Sequence, residues 1–148
     1  MLHRIKKNND QSQGKWLGIG GKFEDKESPD ECLLREVYEE TGLKLTSYRL
    51  RGIVTFISDI YETEYMFLYS ADAYEGTLYE ENDGSLTPMI DNKRTPCSEG
   101  LLKWVDIDLV PTLELWEGDR IFLKMLREED DFFMLKLVYK GDTLVSYE

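Results

Sequence analysis

A chain of 148 residues with 41% apolar and 12% aromatic side chains is long enough for one ordinary core and too apolar to stay disordered. Its formal charge of −12 argues against a nucleic-acid polymer as partner, because binding a phosphate backbone needs a basic surface to release counterions. No apolar run is long enough to span a bilayer, no signal-peptide pattern is present, and Cys32 and Cys97 lack metal-site spacing, so they read as reduced thiols of a cytoplasmic protein.

In chain order, residues 8–14 are polar and rich in turn formers, which predicts a loop leading to Trp16. Gly18, Gly20 and Gly21 then let the backbone approach phosphates and a metal closely, where a Cβ would obstruct. Lys22 follows as a phosphate contact or an exposed surface lysine.

The next element is announced at both ends. Ser28 and Glu31 form a capping box, Pro29 suits the first helical position, and Gly42 can leave the helix with positive φ, so Pro29 to about Thr41 is predicted helical. At 100° per residue, Leu33, Leu34, Val37 and Tyr38 share an apolar face, while Glu36, Glu39 and Glu40 share another arc. Stacked like charges cost a few tenths of a kcal/mol per pair, roughly, and a hard divalent cation would remove that repulsion. Ligands that are all oxygen suit Mg²⁺, or Mn²⁺. A solvated acidic helix face is the plainer alternative.

Residues 50–58 and 65–73 are rich in β-branched and aromatic side chains and predict core strands. Residues 76–97 contain Gly76, Gly84, Pro88 and Pro96 among acidic side chains and predict a long polar loop, a lid or a mobile excursion. Residues 120–127 are amphipathic and predict a second helix with Ile121, Phe122, Met125 and Leu126 inward. Residues 132–147 predict a closing hairpin turned at Lys140, Gly141 and Asp142.

Gly21, five residues, Glu27, seven residues, Arg35, Glu36 and aliphatic Val37, one residue, Glu39 and Glu40, one residue, Gly42 and aliphatic Leu43 together resemble the signature of the Nudix hydrolases. Seven identities at fixed spacing arise by chance in fewer than roughly one window in ten million. The preceding stretch, residues 15–22, is similar to the MutT-like branch, the 8-oxo-dGTP diphosphatase type.

The resemblance implies an α/β fold, the Nudix α/β/α sandwich with a mixed sheet, as one domain over residues 1–148. Residues 1–7 would be the family's second strand, so its first strand is missing, which implies a start upstream or an edge filled by a partner chain. His3 would be a half-exposed residue of that strand, the alternative being a contact with a ligand near the pocket. By resemblance, the Gly20 carbonyl, Glu36, Glu39 and Glu40 hold the metal, with Glu99 as a further ligand or a solvated loop carboxylate. Glu36 would be general base or bridging ligand, a part Glu99 can also take, and Arg35 and Glu27 would orient the carboxylates. Trp116 would stack on a purine whose edge Asp119 reads; the alternative is a core tryptophan and a helix N-cap aspartate. Leu17 stands where animal-type oxidised-purine enzymes carry asparagine, so it can pack on a base but cannot read its edge.

The implied activity is Mg²⁺-dependent hydrolysis of (oxidised) purine nucleoside triphosphates to monophosphate and pyrophosphate, by a monomer or homodimer whose partner is a small-molecule nucleotide. A hydrolase of another nucleoside diphosphate derivative such as ADP-ribose would share the same glutamates. A non-catalytic nucleotide sensor would be expected to lose one or more of them.

Overall fold

A computed structural model describes residues 1–6 and 11–148. The chain divides into two compact units, one formed by residues 1–46 and 73–114, the other by 47–72 and 115–148.

The first unit is built on short antiparallel strands: β1 (Leu2–His3), β2 (Trp16–Leu17) and one helix, α1 (Pro29–Thr41). Two long strands, β3 (Lys44–Ser58) and β4 (Glu64–Glu75), each begin or end here and belong for most of their length to the other unit. Then come β5 (Leu78–Glu80), β6 (Leu86–Ile90), β7 (Lys93–Arg94), β8 (Leu101–Leu102) and a 3₁₀ turn over Ile107–Thr112. The sheet order is β2-β1-β8-β6-β5, with β7 paired to β6. A small core of Leu2, Cys97 and Leu102 is flanked by Ile19, Leu78 and Leu86.

β1 is shorter than the strand expected over residues 1–7, and it is an interior strand with β2 and β8 on either side. Its His3 is half-buried, as expected, and stacks on Trp16 with ring centroids 4.5 Å apart. Of the loop expected over residues 8–14, positions 8–10 lie outside the described residues.

α1 has the predicted bounds and both arms of its capping box: the Ser28 hydroxyl accepts from Glu31 N at 3.2 Å and the Glu31 carboxylate accepts from Ser28 N at 3.1 Å. Gly42 ends it at φ 74°, where a Cβ would stand 2.7 Å from the Met89 carbonyl oxygen. The buried face differs from the expected one: Cys32, Val37 and Thr41 are buried, while Leu33, Leu34 and Tyr38 are half-buried. Thr41 tolerates burial because its hydroxyl donates to the Val37 carbonyl at 2.6 Å and accepts from Leu43 N at 3.1 Å.

The long polar loop expected over 76–97 is instead folded into two hairpins. β5 and β6 pair antiparallel around a turn in which Asp83 accepts from Ser85 and Gly84 sits at φ 83°. β6 and β7 pair around Asp91 and Asn92, both at positive φ, the backbone a two-residue hairpin requires. Pro88 and the charged residues disguise strands that are only two to five residues long.

The second unit carries a four-stranded sheet in the order β10-β9-β3-β4, with β9 (Phe133–Lys140), β10 (Thr143–Tyr147) and the helix α2 (Glu117–Glu128). The sheet is mixed: β3 and β9 are parallel, whereas β9 and β10 form the predicted closing hairpin. Phe133, Leu135, Leu137 and Tyr139 alternate inward along β9 and form the core with Val54 and Phe122; Ile121, Met125 and Leu126 pack against it, as the helical spacing predicts. α2 lacks a C-terminal glycine, and the buried Arg51 serves its last turn instead, donating to the carbonyls of Leu126 and Glu129.

Candidate active site

The candidate chemistry lies in the first unit, where α1 begins after the glycine segment. Arg35 organises it. Its guanidinium forms a two-pronged pair with Glu27, at 2.6 Å to Oε2 and 2.9 Å to Oε1, and donates to the Lys22 carbonyl at 2.9 Å. The same group donates to Glu36 at 2.7 Å and to Glu39 at 3.1 Å. One helical residue thus ties the incoming loop to two carboxylates of its own helix. The bond from Arg35 is the chief cause that holds the Glu27 carboxyl down at about 2, and the reciprocal bonds raise Arg35 further above its ordinary value.

Glu36 lies against the chain at Gly21, where any Cβ would collide with its carboxyl group. Glycine is required at this point by contact and not by φ. Glu40 accepts a hydrogen bond from Gly20 N at 3.1 Å. Burial pushes its pKa up to about 7, the Glu36 carboxylate adds to the rise, and Glu99 contributes less. Glu99, half-buried just before β8, pairs with Arg4 at 3.7 Å.

The structure therefore gathers Gly20, Glu27, Arg35, Glu36, Glu39, Glu40 and Glu99 in one unit. Lys22 contributes its carbonyl, and the residue is exposed. Leu17 is half-buried in β2, paired with Leu2. Trp116 and Asp119 belong to the second unit. The N-cap of α2 is Trp116, half-buried and packed against the core of this unit, as the core-tryptophan alternative has it; Asp119 is buried within the first turn, so the alternative of an N-cap aspartate does not hold.

Sequence reasoning missed Arg4 and Glu24. Arg4 pairs with Glu99 and draws the Glu40 pKa down slightly; Glu24 lies 3.5 Å from Arg35. Nothing in the local pattern marks Arg4, since its partner is far along the chain. Glu24 could have been found from its place three residues before Glu27, whose carboxylate accepts from Glu24 N at 3.1 Å.

Among the described residues, no three acidic, histidine or cysteine side chains already converge on one point as metal ligands. Glu36 and Glu39 are held by Arg35. The donor chemistry nevertheless fits a hard divalent ion: all donors are oxygen, and the Glu36 carboxylate stands close enough to Glu40 to add to the rise that burial causes in its pKa. A positive charge would relieve that crowding.

The NUDIX domain family matches residues 1–126. An uncharacterized Nudix hydrolase of Bacillus subtilis (strain 168) is 32% identical over 140 residues, covering 91% of this chain and 79% of the relative. The oxidized purine nucleoside triphosphate hydrolase of Danio rerio is 30% identical over 137 residues, covering 91% of this chain and 77% of the relative. Among solved structures, the MutT protein of Bacillus halodurans superposes with a TM-score of 0.79 at 27% identity, covering 99% of this chain and 86% of that one. A glutamate-bearing helix joined by Arg35 to a glycine loop, within a chain that matches such enzymes over most of its length, makes this protein a MutT-like member of the Nudix hydrolases, pyrophosphohydrolases of nucleotide compounds.

Proposed function

We propose that the enzyme hydrolyses purine nucleoside triphosphates, oxidised purines such as 8-oxo-dGTP among them, to the monophosphate and pyrophosphate, and so cleans the cytoplasmic nucleotide pool. The observation that carries the chemistry is the carboxylate group of α1 set against Gly20 and Gly21, with Glu40 bonded to the Gly20 amide and Glu36 against Gly21. The Danio rerio relative, named for oxidised purine triphosphates, supports the choice of substrate.

In this reading Glu36, Glu39, Glu40 and the Gly20 carbonyl hold Mg²⁺, or Mn²⁺, with Glu99 as an additional ligand. When bound there, the ion neutralises charge that develops on the phosphate oxygens. Water attacks phosphorus, a new P–O bond forms as the bridging P–O bond breaks, and Glu36 takes the proton while pyrophosphate leaves. Arg35 and Glu27 keep the carboxylates oriented, and Lys22 meets a phosphate. Trp116 stacks on the purine, Asp119 bonds its edge, and Leu17 packs on the base. The working protein is a monomer or homodimer with no polymeric nucleic acid as partner.

Leu17 favours a second reading, a nucleoside diphosphate derivative such as ADP-ribose, because leucine has no group with which to read a base edge. Product analysis with Mg²⁺ on 8-oxo-dGTP, dGTP and ADP-ribose at equal low concentration separates the two. Conversion of 8-oxo-dGTP to monophosphate and pyrophosphate is expected. Cleavage of ADP-ribose alone would discard the roles of Trp116 and Asp119 and leave the glutamate site standing.

A further inference from the structure

α2 starts without the residue type that helix starts favour. Its N-cap is Trp116, at φ −60° and ψ 142°, and no side-chain hydrogen bond runs from it into the first turn. Serine, threonine, aspartate or asparagine would offer an acceptor at that position, whereas an indole offers only a donor. The acceptor comes instead from β9: the phenolic oxygen of Tyr139 accepts from Gly118 N at 2.7 Å in a buried bond. The same tyrosine meets the Trp116 ring edge to face, with centroids 5.6 Å apart and planes at 84°. Gly118 permits this approach, since a Cβ there would stand 2.5 Å from Leu137 Cδ1 and 2.6 Å from the Tyr139 oxygen. Tyr139 is itself buried between these groups, and burial pushes its hydroxyl up to about 12, so it stays neutral across the working pH range.

A tryptophan in the N-cap position forgoes a favourable cap, and a residue from another element makes good the loss while touching the indole ring. We infer that Tyr139 is a positioning residue for base recognition: through its ring and its bond to Gly118, two residues on, it sets the orientation of Trp116. This rests on the purine reading of Trp116. Tyr139 acts through Trp116 and needs no contact with the phosphates.

The test compares the intact protein with Tyr139→Phe, Trp116→Ala and the double variant, in steady-state hydrolysis of 8-oxo-dGTP and dGTP with Mg²⁺. Tyr139→Phe keeps the ring and removes only the hydroxyl that accepts from Gly118 N. It should raise KM roughly three- to tenfold, the factor one net hydrogen bond is worth, with kcat within about twofold. In the Trp116→Ala background the same change should leave KM where Trp116→Ala alone puts it, because the residue through which Tyr139 acts is gone. An unchanged KM for Tyr139→Phe alongside a raised KM for Trp116→Ala overturns the positioning role and leaves the purine reading intact. Effects that multiply in the double variant also overturn it, since they mark an independent structural role. An unchanged KM for Trp116→Ala removes the purine reading and the inference with it.

Discussion

Arg35 shows how one side chain can set the geometry of a whole site. Its fork spans Glu27 on one side and Glu36 with Glu39 on the other, so the two helix carboxylates are held by charge-assisted bonds that a lysine could not reproduce with the same directions. Glu39 is the most exposed of the box glutamates in this arrangement and is bound by Arg35 at 3.1 Å, which leaves its carboxylate accessible to a cation. Glu39→Gln keeps the size and one acceptor oxygen but removes the charge. Turnover should fall by roughly a thousandfold, the equivalent of several kcal/mol of charge stabilisation, while circular dichroism stays unchanged. Near-normal pyrophosphate release from that variant would remove Glu39 from the site. At this scale the sequence was largely legible. Glu36, Glu39 and Glu40 sit within a few residues of one another on α1, where helical spacing aligns them, whereas Glu27 lies before the helix and is tied in by Arg35. Arg4 was not legible, because its ion pair with Glu99 joins the residue after β1 to the segment before β8.

At the scale of elements, one register of α1 turns Cys32, Val37 and Thr41 inward and sets Glu36, Glu39 and Glu40, the proposed ligands, on another arc. Its start is held by the capping box and its end by Gly42, so the helix has defined bounds where the glycine loop meets it. Ser28→Ala removes the side-chain acceptor and should cost about 1 kcal/mol of stability, read as a lower urea midpoint with an unchanged slope. No change in midpoint would mean that the exposed cap is satisfied equally well by water. The hairpins of residues 76–97 went unrecognised for a physical reason. Strands of two to five residues give too few positions for alternation to register, and Pro88 within β6 argues against a strand in any sequence reading. The turn at Asp91 and Asn92 carries the backbone of a two-residue hairpin without the glycine that would have announced it.

For the molecule as a whole, pH acts on the site through two carboxyls shifted in opposite directions. Glu27 is held down to about 2, so the stability it contributes is present above its ordinary value of 4.5 and is lost as pH falls through 2. Glu40 is raised to about 7, so in the metal-free protein it favours folding below 4.5, and that contribution is lost as pH rises through 7. Cation binding has the opposite preference because it needs the carboxylate. The rise in melting temperature caused by Mg²⁺ should therefore be larger at pH 8 than at pH 6, and Glu40→Gln should flatten that difference. A Glu40→Gln variant with the same Mg²⁺-induced rise as the intact protein at both pH values would show that Glu40 is not a ligand. What the sequence determined by itself was local: the capped helix, its row of glutamates and the closing hairpin, all set by interactions within a few residues. Only the tertiary structure decided the parallel pairing of β3 with β9, the ion pair of Arg4 with Glu99 and the seat of Tyr139 at the head of α2. These join groups far apart along the chain, where strand register and packing, rather than periodicity, choose the partner.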